Sequence, residues 1–350
     1  MTKIPCVLMR GGTSRGPYFI SSDLPSDEAK RDEILLCVMG SGHPLEIDGI
    51  GGGNPVTSKV AIVSPSARAG IDVEYLFAQV KVEERKVDTS PNCGNMLSGV
   101  GPFAIEAGLV KAADGVTSVR ILNLNTNKVI EAKVQTPGRR VTYEGSASID
   151  GVPGTASPVH LAFLDAAGSK TSGLLPTGSA VDIVEGIEVS CVDAATPIVL
   201  IRSMDLGKTG TEAPAEYAAD REFMARLERI RIAAGKQMGI LDAAERVIPK
   251  PVLIAPPVKG GHLAVRYFMP HQCHSALAIT GAVAVASAVA TPGTVAFEMV
   301  RPNSLPMDIT LEHPSGRLDV NLDHLPGSQE PVARVLRTAR RLFEGHVFAS

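Results

Sequence analysis

The sequence predicts an α+β protein of two similar domains, each a mixed β-sheet wrapped around a central apolar helix. Three observations carry this prediction. Short strand-like runs separated by Gly, Pro, Asn and Asp recur along the chain. Two small-residue apolar helices, NCGNMLSGVGPFAIEAGLV (92–110) and QCHSALAITGAVAVASAVA (272–290), overlay without a gap. Cys93 then meets Cys273, Leu97 meets Leu277, Gly101 meets Gly281 and Ala104 meets Ala284. A shorter match lays VTSKVAIV over ATPIVLI, pairing Thr57 with Thr196 and Val60 with Val199. Internal self-similarity is the mark of a duplicated architecture. The boundary is expected near LLPTGSAVD, giving domains 1–180 and 181–350, with the last strand free to cross back.

The elements follow in order. IPCVLMRGG reads as a strand and RGGTSRG as the turn closing its hairpin. DEAKRDEILLCVMG reads as a helix with Asp27 at its cap. SKVAIVSPS, the run Ile71 to Glu84, VTSVRILNLNT, KVIEAKVQTPG and VTYEGSASID read as strands. AEYAADREFMARLERIRIAAGKQMG reads as one amphipathic helix, with Phe223, Leu227, Ile230 and Ala234 on its buried stripe. Ser275 to Phe297 carries no charge, and roughly 20 apolar residues can span a bilayer. Thr291-Pro292-Gly293 breaks that run, however, and its Ala, Val and Gly content suits an enclosed core helix.

Bulk composition narrows the function. A chain of 350 residues with 44% hydrophobic and 20% charged residues can fill two cores. A net charge of -3, 4% aromatics and no Trp argue against a nucleic-acid partner. Pro5 and Arg10 interrupt the first apolar stretch, so no signal peptide is expected. Five scattered cysteines without a CxxC pair argue against a disulfide framework or structural zinc, and point to a reduced, cytoplasmic protein without a membrane partner. His271, Cys273 and His274 are close in sequence, yet no second ligand pair has zinc-like spacing, so no metal is expected.

The candidate chemistry gathers in a few motifs. Cys93 stands where the first central helix begins, between Asn92 and Gly94-Asn95, and a helix N-terminus favours thiolate. Lys59 opens the strand after GGGNPVTS. A partly desolvated lysine near a helix N-terminus would lose its proton more easily and could act as a general base. The Gly- and hydroxyl-rich stretches RGGTSRG, with Arg10 and Arg15, and GGGNPVTS offer donors to anions. EHPSG carries His313, Ser315 and Gly316 in a turn between strands. In duplicated proteins of this kind the site often lies in the cleft between domains, where helix N-termini can hold carboxylates.

Taken in order, RGGTSRG, DGIGGGNPVTSKVAIV, SPNCGNMLSGVGPFAIEAGLV, HSALAITGAV and EHPSG resemble the PrpF-like isomerases, relatives of diaminopimelate epimerase and proline racemase. VEYLFAQV and the cysteine segment are most similar to the 4-oxalomesaconate isomerases and tautomerases. The resemblance implies two diaminopimelate epimerase-like domains with the active site in the interdomain cleft. It implies a cofactor-independent proton shift in an unsaturated tricarboxylate from aromatic-acid, gallate or lignin breakdown. Lys59 would be the base and Cys93 its assistant. Arg10, Thr13, Ser14, Asn54, Thr57, Ser58, Gly94, Asn95, His274, Thr280, Gly281, His313, Ser315 and Gly316 would hold the substrate. Two-base epimerases use a cysteine from each domain, but Cys273 is followed by His274-Ser275 rather than Gly-Asn, which marks it as a wall residue. The alternatives are a methylaconitate or aconitate isomerase, a two-base racemase, and a non-catalytic tricarboxylate binder. A homodimer is a candidate assembly.

Overall fold

The computed structural model describes residues 2–269, 271–302, 304–324 and 331–349. Its first elements are β1 (Thr2–Gly11), β2 (Ser14–Ile20), α1 (Glu28–Met39), β3 (Lys59–Pro65), β4 (Val73–Val80), β5 (Val87–Asp88), α2 (Gly94–Glu106), β6 (Gly115–Asn123), β7 (Lys128–Thr136) and β8 (Pro158–Phe163). Then come β9 (Asp182–Val184), β10 (Ile187–Asp193), β11 (Pro197–Arg202), α3 (Pro214–Ala219), α4 (Arg221–Gln237), β12 (Lys250–Ala255) and β13 (Leu263–Tyr267). The chain closes with α5 (Ile279–Ala290), α6 (Val295–Val300), β14 (Met307–His313), β15 (Gly316–His324) and β16 (Pro331–Ala349). They divide into two compact units, Met1–Leu161 with Leu336–Ser350, and Ala162–Val335.

In the first unit, β1, β2, β3, β4, β6, β7, β8 and β16 pair in that order, and β16 pairs back to β1, closing an eight-stranded barrel. Inside it runs α2, against β1, β2, β3, β4, β6 and β7, buried on every side from Met96 to Ile105. Glycine inside a helix costs about 0.5–1 kcal/mol against Ala, and here close packing offsets it. A Cβ on Gly99 would sit 2.4 Å from the Tyr18 hydroxyl, and one on Gly101 2.9 Å from Val134. Outside the barrel, α1 buries Leu35, Val38 and Met39 with Ile4, Phe19 and Val60. Asp27 caps α1 as expected, accepting from the Lys30 N–H at 2.9 Å, and Gly40 ends it at φ 76°.

The second unit repeats the plan. From β1 to β7, leaving out the short β5, successive pairings run antiparallel, parallel, antiparallel, parallel, antiparallel. From β10 to β15 they run in the same sequence. Each unit has an outer helix after its second strand and a buried helix before its fifth. This alternation corrects two details of the sequence overlay. β3 corresponds to β12, which also opens on a lysine, Lys250, so the strand matched to it in sequence, β11, is the counterpart of β2. And α5 starts at Ile279, five residues beyond the point the overlay assigns. Cys273 bridges to Phe268 and the His274 N–H donates to the Tyr267 carbonyl at 2.7 Å, so pairing with β13 continues where the overlay places helix.

Two further expectations change. The segment 141–150 is no strand: it makes an isolated bridge at Ala147–Ala156, and the Ser157 backbone lies so close to Gly145 that a Cβ there would be 2.7 Å from it. The amphipathic helix is broken in two, because Asp220 ends α3 and then caps α4, accepting from the Phe223 N–H at 3.0 Å. Its stripe of Phe223, Leu227, Ile230 and Ala234 is buried as expected. The uncharged run 275–297 contains α5, a helix of 12 residues buried from Ile279 to Val289, with Thr291 as its C-cap. Among the described residues no helix is long and apolar enough to cross a membrane.

Candidate active site

In the first unit, three sequence motifs meet at the end of the barrel where α2 begins. Cys93 is the N-cap of α2, half-buried, with extended backbone and no side-chain capping bond. Its carbonyl accepts from the Leu97 N–H at 3.0 Å and from the Tyr75 hydroxyl at 3.4 Å. An uncapped helix N-terminus leaves backbone N–H groups and positive dipole for an anion. Next to it, Asn95 reaches the β1–β2 turn: its Oδ1 accepts from the Thr13 N–H at 3.3 Å. Gly12, at φ 51°, is what permits this, since a Cβ there would lie 2.1 Å from that oxygen. Ser14, buried, starts β2 from the same turn.

Lys59 opens β3 alongside. Its Nζ donates to Gln79 Oε1 at 2.5 Å and lies 5.0 Å from the centre of the Phe77 ring. Gly16 on β2 joins the two parts of the site. A Cβ there would stand 1.8 Å from the Lys59 carbonyl oxygen and 3.2 Å from Met96 Cε on α2.

The loop before Lys59 is organised by a residue that sequence reasoning missed. Glu46 is buried, accepts from the Gly53 N–H at 2.8 Å, and takes the hydroxyl of the buried Ser58. An acidic residue ahead of a Gly-rich loop is the signal that could have found it. Asn54 forms a local turn, its Oδ1 accepting from the Val56 N–H at 3.0 Å while its carbonyl takes the Thr57 hydroxyl at 3.1 Å. Arg15 holds this loop through its N–H to the Val56 carbonyl at 2.9 Å. A Cβ on Gly52 would meet Thr57 Oγ1 at 2.5 Å and Arg15 Nη2 at 2.8 Å, so loop, hydroxyl and guanidinium converge there. Arg10, by contrast, is turned onto backbone: Nη1 donates to the carbonyls of Gly12 (2.9 Å) and Thr338 (3.1 Å) and to the Thr338 hydroxyl (3.0 Å). Burial, with Arg340 beside it, lowers its pKa below the usual arginine value.

The second unit carries the other named residues. Thr280 and Gly281 lie in the first turn of α5, whose N-cap is Ala278. A Cβ on Gly281 would meet the Tyr267 ring at 2.4 Å. His274 Nδ1 accepts from the Ala276 N–H at 2.8 Å, which shapes the approach to α5. His313 ends β14 and pairs with Gly316 across the EHPSG turn, and Ser315 donates its hydroxyl to the Ser275 carbonyl. Two motifs that are about 40 residues apart are thereby joined. Cys273 is buried among Tyr217, Phe223 and Phe268, and that burial pushes its thiol up to about 11. Among the described residues no group of three or more His, Cys, Asp or Glu could hold a metal ion.

Comparison with known proteins places the chain among isomerases. The Escherichia coli (strain K12) protein YbhH is 57% identical over 350 residues, with 99% of each chain covered. The (4E)-oxalomesaconate Delta-isomerase of Novosphingobium sp. (strain KA1) is 48% identical, covering 99% of this chain and 98% of that one. The 4-oxalomesaconate tautomerase of Pseudomonas putida is 46% identical, covering 99% and 96%. A crystal structure of methylitaconate-delta-isomerase superposes with a TM-score of 0.88 at 35% identity, covering 99% of this chain and 96% of that one. At 12% identity, a hydroxyproline epimerase from Agrobacterium vitis superposes with a TM-score of 0.56, covering 99% and 92%, and so shares the fold. Residues 1–350 match the family described as PrpF protein. The chain belongs to the PrpF family and is an isomerase.

Proposed function

We propose that this isomerase moves a proton within 4-oxalomesaconate, or a close unsaturated tricarboxylate, with Lys59 as base and Cys93 assisting. The observation that carries the reading is that Gly16 on β2 packs closely against both the Lys59 backbone and Met96 in the first turn of α2, whose N-terminus is uncapped. A neutral Lys59 amine would take a proton from the carbon next to the carbonyl and double bond. That C–H bond breaks, an N–H bond forms, and the electron pair spreads over a dienolate. Thr13, Ser14, Asn54, Thr57, Ser58, Gly94 and Asn95 lie on the three motifs that would hold the carboxylates, and donors there stabilise charge as it develops. The resulting ammonium, or Cys93, returns a proton at the far end of the system or at oxygen, so no electrons are lost or gained. The two 4-oxalomesaconate relatives support the substrate class. The role would lie in cytoplasmic breakdown of aromatic acids such as gallate or lignin-derived protocatechuate.

The methylitaconate-delta-isomerase likeness favours a second reading, allylic isomerisation of a methyl-substituted acid. Proton NMR in deuterated buffer separates them. With 4-oxalomesaconate, deuterium at a migrated position marks an allylic isomerase, and faster keto–enol exchange without migration marks a tautomerase. Turnover of methylitaconate or methylaconitate alone would favour the second reading. Lys59→Met is expected to lose at least about 10²–10⁴-fold in kcat, the range for a general base. A folded variant with near-normal rate removes Lys59 from the role.

A further inference from the structure

The proposed base has a neighbour that the sequence reading did not single out. Lys59 and Gln79 stand directly opposite each other in the antiparallel β3–β4 ladder. Lys59 Nζ donates to Gln79 Oε1 at 2.5 Å. The other end of that amide donates to the carbonyls of Ser58 at 2.8 Å and Pro55 at 3.1 Å. Carbonyl oxygens only accept, so the NH₂ group must face the loop and Oε1 must face the lysine. The amide is therefore clamped by the same loop that delivers Lys59.

We infer that Gln79 is a positioning residue for Lys59: it aims Nζ, and its neutral acceptor lets the lysine pass between amine and ammonium during turnover. The inference rests on Lys59 being the base. A neutral amide accepts a hydrogen bond from either form of the lysine. A carboxylate of the same shape would hold the ammonium instead, because an opposite charge within about 4–6 Å shifts a pKa by roughly one to three units. The other charged or titratable groups on the elements around Lys59 are Arg15 and Tyr18 on β2, Glu74 and Tyr75 on β4, Asp88 on β5 opposite Gln79, Cys93 and Glu106 at the two ends of α2, and Glu46, which is engaged by Ser58 and Gly53. The acceptor aligned on Nζ is the Gln79 amide.

The test compares Gln79→Glu with the parent protein, with Lys59→Met as the control. In ¹⁵N-lysine NMR, the signal missing from Lys59→Met identifies Lys59. Its titration midpoint is expected to rise by roughly one to three units in Gln79→Glu. The acidic limb of the kcat/KM–pH profile should move up in parallel, with at least about a tenfold loss of rate on that limb and recovery at high pH. Gln79→Met, which fills similar volume without the polar groups, is expected to lose rate at every pH with its limb unmoved and KM little changed. An unmoved midpoint in Gln79→Glu, or a parental rate in Gln79→Met, overturns the inference while Lys59→Met stays inactive. An active Lys59→Met instead sinks the base assignment, and this inference with it.

Discussion

The two buried helices, α2 and α5, have the same place in the same strand order but begin differently. α2 starts immediately after a half-buried cysteine, and its first turn, Gly94-Asn95, reaches the β1–β2 turn. α5 starts six residues after its cysteine, behind Ala278, and Cys273 is buried in an aromatic cluster with its thiol raised to about 11. The two units share a strand order but not a helix start. Ahead of the second helix, Cys273 bridges to Phe268 and the chain bends through Ser275 and Ala276 before α5 begins. Strand openings differ as well. Lys59 is half-buried and held by an amide, whereas Lys250 is buried at the start of β12.

The largest effects are expected where one close approach in each unit is disturbed. Gly16→Ala would push a Cβ to within 1.8 Å of the Lys59 carbonyl oxygen. That atom belongs to the β3 backbone and cannot rotate away, so β2 and β3 must part. The expected loss is about 3 kcal/mol of stability, the upper end for overpacking, together with about a hundredfold in kcat from the displaced lysine. Gly281→Ala meets the Tyr267 ring at 2.4 Å, a side chain rather than strand backbone, and should cost less. Thermal melting and steady-state rates on both variants decide it. Equal losses would mean the two close approaches have the same structural weight.

An intermediate effect is expected at Cys93. Cys93→Ser keeps the N-cap, since a hydroxyl caps at least as well, and removes the thiol. If Cys93 assists Lys59, kcat should fall by about tenfold, some 1.4 kcal/mol of barrier. A fall of about 10²–10⁴ would make it an acid or base in its own right. An unchanged rate would leave the helix N-terminus, without the thiol, as the contribution of this segment.

Much of this was legible in the sequence, and what was not has physical causes. Lys59, Cys93 and the Thr13, Asn54 and Asn95 loops stood out because unusual residues sit at element boundaries, and boundaries are what Gly, Asn and Pro advertise. The duplication was legible because the core helices are built from small residues, whose pattern survives packing on all sides. Its register was not, since a gap-free overlay cannot register five extra non-helical residues before α5. Gln79 was hidden because cross-strand partners depend on the Ser66–Asp72 connection between β3 and β4, not on local pattern. Glu46 was hidden because buried carboxylates and surface ones have the same letter. Arg10 also ties the turn to β16, a contact hidden in the sequence, since a guanidinium serves carbonyls as readily as carboxylates.

The smallest expected effect is the sharpest test of the asymmetry. Cys273→Ser puts a hydroxyl into a cluster with Tyr217, Phe223 and Phe268 in place of a sulfur that acts as a small hydrophobe. Stability should fall by about 1–3 kcal/mol, the range for a buried hydroxyl without a full partner. The rate per folded molecule should stay the same, because a buried thiol raised to about 11 is protonated throughout the neutral range. In the parent protein, iodoacetamide at pH 8 should label Cys93 well before Cys273, since alkylation requires an accessible thiolate. Peptide mapping of the labelled protein reads this directly. Early labelling of Cys273, or a Cys273→Ser variant that is stable yet slow, would mean that the second helix carries chemistry after all and would revive a two-base scheme.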